Sequence, residues 1–207
     1  MRFGVLRVLN QDRIAPDKGF SRHAHQDMEI VTYVLEGALR HEDSMGNGSE
    51  VGSGEVQLMS AGTGVTHSEF NASASDPLHL LQMWVLPEEK GTAPRYEQGD
   101  FRERFDGQLA VVATPDGEEG SMKIGQDVRL LAGRLQAGGA AEVRLDPGRR
   151  AWLHLALGKL SVNGLELGAG DGVAIDDETV LRLSEAEAAD LVIWDLPAEV
   201  ARSRMGA

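Results

Sequence analysis

Gly19-Phe20-Ser21-Arg22-His23-Ala24-His25-Gln26-Asp27-Met28-Glu29-Ile30-Val31-Thr32-Tyr33-Val34-Leu35-Glu36-Gly37 and Met59-Ser60-Ala61-Gly62-Thr63-Gly64-Val65-Thr66-His67-Ser68-Glu69 decide how this chain is read. Both are strand-like runs punctuated by glycine, and each carries a metal-type pair at i, i+2: His23 with His25, and His67 with Glu69. Successive side chains on a β-strand point to opposite faces, so each pair projects two ligand atoms from one face. Two such strands side by side would grip one ion. Three imidazoles and a carboxylate suit a divalent transition metal, and on an octahedral ion they leave about two positions open for chemistry.

The same rhythm extends outward through the chain. Val56 to Met59 and Leu78 to Leu86 read as further strands, with turns at Gly46-Asn47-Gly48, Gly52-Ser53-Gly54 and Gly62-Thr63-Gly64. Asn47-Gly48 predicts a type I′ hairpin, because both residues tolerate a positive φ. Leu78 to Leu86 is apolar on both faces, which predicts a strand sandwiched between a barrel interior and a neighbouring layer. Residues 87–108 are polar and charged without periodicity and read as a linker between an N-terminal unit, 1–86, and a C-terminal unit, 109–196; residues 197–207 read as a tail. The C-terminal unit repeats the pattern with strands at Leu109 to Ala113, Val128 to Leu131, Ala151 to Leu157, Leu160 to Val162, Gly172 to Ile175, Val180 to Leu183 and Leu191 to Trp194, and a hairpin at Asn163-Gly164. Ser184-Glu185-Ala186-Glu187 has capping-box spacing but room only for a single turn or a loop.

Composition supports an all-β chain with two cores. The 207 residues suit two domains of about 100 each. Glycine is abundant, 25 residues against 7 prolines, as turns require. With no cysteine, disulfides and thiolate metal sites are excluded. A formal charge of −13, from 20 basic and 33 acidic residues, opposes direct grip on a nucleic-acid backbone. The start, Met1-Arg2-Phe3-Gly4-Val5-Leu6-Arg7-Val8-Leu9, is too short and interrupted for a signal peptide or membrane span. A cytoplasmic protein with no membrane partner is expected.

Spacing alone leaves the carboxylate of the site open. Glu29 and Glu69 each share strand parity with a neighbouring histidine, and a bulge near Glu29 would turn it away. His41, His79 and His154 have no matched partner and read as ordinary core or surface histidines. Met59 and Trp84 read as core. The second half holds no H-x-H or H-x-E, so its own residues assemble no equivalent site.

Gly19 to Asn71 resembles the paired motifs of the cupin superfamily: His23-x-His25-x3-Glu29 followed by Tyr33-Val34-Leu35-Glu36-Gly37, then Gly62-x-Gly64-x2-His67-x3-Asn71. More narrowly, Glu29 to Gly37, Asp43-Ser44-Met45-Gly46-Asn47, Met59 to Glu69, Leu80-Leu81-Gln82-Met83-Trp84, Pro94-Arg95-Tyr96-Glu97-Gln98, Gln126-Asp127 and Asp195-Leu196-Pro197 resemble the pirin family, in its bacterial flavonol-dioxygenase branch. The resemblance spans nearly the whole chain. It implies two tandem cupin barrels of jelly-roll type, a bicupin, with metal in the first only. It implies His23, His25, His67 and Glu69 as ligands, Glu69 also as the catalytic base, and Glu29 as a surface or supporting residue.

The implied cofactor is one divalent ion. Iron(II) is the first expectation, and nickel, cobalt, manganese, copper and zinc are compatible with the same donors. The implied reaction is opening of the central ring of a flavonol such as quercetin by O2. The alternative is a metal-binding or redox-sensing regulator that acts through a protein partner, as eukaryotic members are thought to do. Relatives carry a further aromatic-rich segment ahead of the position of Phe3. Its absence here, whether from a misassigned start or a short form, implies an uncovered strand edge near Val5, open to pairing with another subunit.

Overall fold

The computed structural model describes residues 3–198. It is built of strands: β1 (Leu6–Ile14), β2 (Gly19–His25), β3 (Glu29–Glu36), β4 (Ala38–Asp43), β5 (Gly48–Gly52), β6 (Glu55–Ser60), β7 (Val65–Asn71), β8 (Leu78–Val85), β9 (Arg95–Asp100), β10 (Leu109–Thr114), β11 (Met122–Lys123), β12 (Arg129–Leu135), β13 (Ala141–Arg144), β14 (Arg149–Val162), β15 (Leu165–Gly168), β16 (Gly172–Ile175) and β17 (Val180–Pro197). Two single 3-10 turns, Glu103–Phe105 and Glu118–Gly120, are the only helical elements among the described residues. Among those residues no helix is long and apolar enough to cross a membrane.

The first barrel faces a five-stranded sheet, ordered β1-β8-β3-β6-β9, against a four-stranded one, ordered β2-β7-β4-β5. The second is one sheet, β11-β10-β12-β17-β14-β15, with β13 added to β17 and β16 to β14. It doubles back on itself through the two long strands, whose pairing shifts register between Leu155 and Ser161. Bulges of this kind bend a strand and let it serve both walls. Hence Ala151 to Leu157 and Leu160 to Val162 are one strand, as are Val180 to Leu183 and Leu191 to Trp194. The Ser184 to Glu187 stretch lies within β17, where Glu185 and Ala188 take positive φ.

Three expectations need correction. Residues 87–108 are more than a linker. Arg95–Asp100 pairs along β6 as the edge of the first sheet, and Phe101 and Phe105 are buried in the core. An edge strand with one wet side needs little apolar pattern, which is why its sequence reads as polar. The hairpin β4–β5 forms, but not through a type I′ turn at Asn47-Gly48. Gly46 supplies the positive φ, +93°, and the Asp43 carboxylate closes the loop by accepting the Met45 and Asn47 N–H groups. At Asn163-Gly164 both residues do have positive φ, 47° and 84°, and join β14 to β15.

The third correction concerns the two cores. The largest apolar cluster belongs to both barrels: Val31, Tyr33, Leu81, Met83 and Val85 from the first pack with Val112, Leu130, Val192, Trp194 and Leu196 from the second. The odd positions of β3 and β8 face this shared layer, while even positions such as Val34, Leu78 and Leu80 face the first barrel's interior. The two apolar faces of Leu78 to Leu86 are thereby accounted for. The second barrel's interior is filled by its own apolar cluster, including Leu153, Leu155, Leu181 and Leu191, and so is packed rather than hollow.

Candidate metal centre in the first barrel

The interior of the first barrel is layered. One end is plugged by Ile14, Val34, Leu39, Val51, Leu78 and Leu80. At the other end Ile30, Met59 and Val65 form a small apolar cluster with Met28, Trp84 and Tyr96 against it. Between them lie polar side chains contributed by strands of both sheets, and here β2 and β7 bring their motifs together.

His23 pairs with His67 across these two strands. The register slips by one residue between Phe20 and His23, a bulge at Ser21-Arg22. That bulge turns the Ser21 carbonyl toward the His23 ring, whose Nδ1 lies 2.8 Å from it. A carbonyl only accepts, so Nδ1 carries a proton and Nε2 is the nitrogen turned toward the site. Fixing a ligand's tautomer through its other ring nitrogen is what metal-binding histidines commonly do.

Nε2 of His23 faces Nε2 of His67 at 3.0 Å. His23, His25 and His67 offer ring nitrogens all within 4.8 Å of one another. His67 is fully buried, and burial together with the neighbouring His23 and His25 pulls its pKa down to about 3. Burial, then His23, lowers that of His25 as well. Three imidazoles converging on one point, two of them disfavoured for protonation, make a good cation site. These donors fit a divalent transition metal, which His23, His25 and His67 would hold.

Glu69 is buried one layer deeper. Its carboxylate accepts Gln57 Nε2 at 2.9 Å on one oxygen and Gln82 Nε2 at 2.7 Å on the other. Burial raises its pKa, against the lowering effect of Gln82, His23 and Gln57. It clusters within 4.8 Å of His67 and His41 rather than of His23 and His25, so His67 is the member common to both groups.

Glu29 is placed elsewhere. It shares the odd parity of Val31 and Tyr33 on β3 and so points toward the second barrel, accepting Ser60 Oγ of the neighbouring β6 at 2.7 Å and the Gly125 N–H of the second barrel at 3.0 Å. It is buried, not a surface residue. The bulge on β3 falls between Val34 and Glu36, away from Glu29, so parity and not a bulge removes it from the histidines.

A family model described as Pirin matches residues 2–85, and one described as Quercetinase C-terminal cupin domain matches residues 111–196. Over 197 residues the chain is 43% identical to "Quercetin 2,3-dioxygenase" of Escherichia coli (strain K12), covering 95% of this chain and 84% of that protein. The chain belongs to the pirin family. Among solved structures, YhhW from Escherichia coli is similar with a TM-score of 0.88 and 43% identity, covering 94% of this chain and 82% of that one. The crystal structure of the same bacterial pirin in complex with nickel(II) is similar at a TM-score of 0.88 and 42% identity, covering 94% and 83%. Two cupin barrels, expected from the sequence, are the pirin architecture found here.

Other pirin motif residues turn out to be structural. Gln126 donates to the Leu86 carbonyl at 2.7 Å, and Arg149 joins Asp127 to Asp195. His79 and His154 meet Gln11 at 2.9 and 2.8 Å at the seam between the barrels, as core histidines. His41 is the residue that sequence reasoning undervalued. It is fully buried beside His67, bonded to Asp43 at 3.3 Å and stacked on Tyr96 with ring centroids 4.9 Å apart. Its i+2 spacing to Asp43 was a usable signal. Gln57 and Gln82, which hold Glu69, carried none, because amides on strands are common.

Proposed function

We propose that this pirin is a metal-dependent dioxygenase that opens the central ring of a flavonol such as quercetin, with His23, His25, His67 and Glu69 as the ligands of one divalent ion. The observation that carries the reading is the convergence of three imidazoles, one oriented by the Ser21 carbonyl, beside a buried carboxylate. The name of the E. coli relative supports the reaction, and the nickel(II) complex of the E. coli pirin supports a transition metal. Iron(II) remains the first expectation for the resident ion.

A bound divalent ion would act as a Lewis acid on the flavonol hydroxyl. The remaining work falls to side chains. Glu69, a buried carboxylate beside His67, would take the hydroxyl proton. Met28, Ile30, Met59, Val65 and Trp84 give the flat ring system an apolar wall and exclude water. His25, Gln26, Ser44, Gly64, Val65 and Thr66 line a surface depression of about 360 Å³ that opens beside the histidines.

The test is to load the folded protein with iron(II), nickel(II), cobalt(II), manganese(II), copper(II) or zinc(II) and follow flavonol absorbance under oxygen. Loss of absorbance with at least one ion is expected. No loss with any of them overturns the dioxygenase, and metal uptake without turnover would favour a regulator with a protein partner.

A further inference from the structure

Each oxygen of the Glu69 carboxylate is met by the side-chain amide of a different strand, Gln57 from β6 and Gln82 from β8. An ionised carboxylate only accepts, so both glutamines must turn their NH2 groups toward it and their carbonyl oxygens away. Each carbonyl oxygen then faces an aromatic donor group, the Tyr96 hydroxyl dividing its single proton between Gln57 Oε1 and Gln98 Oε1, the latter at 3.2 Å. Tyr96 Oη lies 3.3 Å from Gln57 Oε1, and Trp84 Nε1 lies 3.4 Å from Gln82 Oε1. An indole N–H can only donate, so Trp84 admits Gln82 in one sense alone. Tyr96 is anchored by Ser49 Oγ at 2.6 Å and by its stacking on His41. The carboxylate is thus gripped from both sides by amides whose orientation is set from outside the layer.

We propose that Gln57 and Gln82 are positioning residues for Glu69, with Tyr96 and Trp84 keeping the two amides in the sense that presents a carboxylate to the ion. The clamp has two physical consequences. It gives each oxygen of the buried carboxylate a hydrogen-bond donor. It also fixes which lone pairs remain free, since each oxygen has one occupied by an amide. The proposal rests on Glu69 being the fourth ligand, as read above, but not on the substrate or the reaction.

The experiment is nickel(II) titration of Gln57→Leu and Gln82→Leu by calorimetry, alone and combined with Glu69→Ala. Partners that orient a metal ligand are typically worth about 10- to 100-fold in affinity. Each single variant is expected to bind nickel(II) at least about tenfold more weakly than wild type. In the Glu69→Ala background the same substitutions are expected to change affinity by less than about twofold, because a clamp with nothing to hold has no effect. An equal loss with and without Glu69 would mean general damage to the barrel and overturns the proposal, as does unchanged affinity in both single variants. Tyr96→Phe, which keeps the ring on His41 and removes only the hydroxyl, reports the same coupling should a leucine variant fail to fold. If wild type binds nickel(II) without consuming flavonol, the dioxygenase reading fails and the clamp is still tested.

Discussion

The Glu29 carboxylate accepts the backbone N–H of Gly125 at 3.0 Å, so a residue that spacing offered as a metal ligand instead ties the first barrel to the second. Glu29→Ala would leave that N–H and the Ser60 hydroxyl without their acceptor in a buried seam. An unpaired buried donor costs about 1–3 kcal/mol. Urea unfolding should show a loss of that size, while nickel(II) stoichiometry stays at the wild-type value. Loss of bound metal in this variant would restore Glu29 as a ligand.

His23→Ala removes the nitrogen that faces His67 and the tautomer lock from Ser21. Elemental analysis after dialysis against nickel(II) is expected to show metal in wild type and essentially none in the variant. A ligand at 100 times its Kd stabilises a fold by about 2.7 kcal/mol. A nickel-induced rise in Tm should therefore appear for wild type and be lost in His23→Ala, with the two metal-free proteins melting close together.

Asp190 joins the barrels from the other side. It accepts Tyr33 Oη at 2.9 Å and Arg134 Nε at 2.8 Å. Burial raises its pKa from the ordinary 3.8, although Arg134 and Tyr33 pull the other way. The folded state therefore binds this proton more tightly than the unfolded chain, so its contribution is fully present below 3.8 and is lost as pH climbs through the raised value. Asp190→Asn should flatten the stability profile in that window. Arg134→Met, which removes the nearby cation, should extend the decline to higher pH. Urea midpoints across the acid range distinguish these outcomes, and an unaltered profile in Asp190→Asn would show that another group titrates.

Trp194 is fully buried in the apolar layer shared by the barrels and places Nε1 3.2 Å from Met83 Sδ. Truncating a buried tryptophan typically costs about 3–5 kcal/mol. Because the layer belongs to both barrels, calorimetry of wild type should show one cooperative transition, and Trp194→Ala should lower it as a whole. Two separated transitions in wild type would mean that each barrel is stable alone.

The sequence by itself determined the alternation of apolar runs and glycine turns, and with it an all-β chain. It also determined the i, i+2 pairs, because strand parity is a local property: His23 with His25, and His67 with Glu69, must share a face wherever their strands lie. The apolar pattern of Leu78 to Leu86 announced a strand covered on both sides. Which face meets which neighbour is not local. Only the pairing of strands far apart in sequence showed that Glu29 looks toward Gly125, that polar Arg95–Asp100 is an edge strand, and that His41 lies beside His67. Tertiary structure likewise added a shared apolar layer between the barrels to the cores inside them, since burying the outer face of the first sheet requires a second sheet to cover it. The grip of Gln57 and Gln82 on Glu69 was out of reach for the same reason. It joins three strands through side chains that carry no pattern of their own.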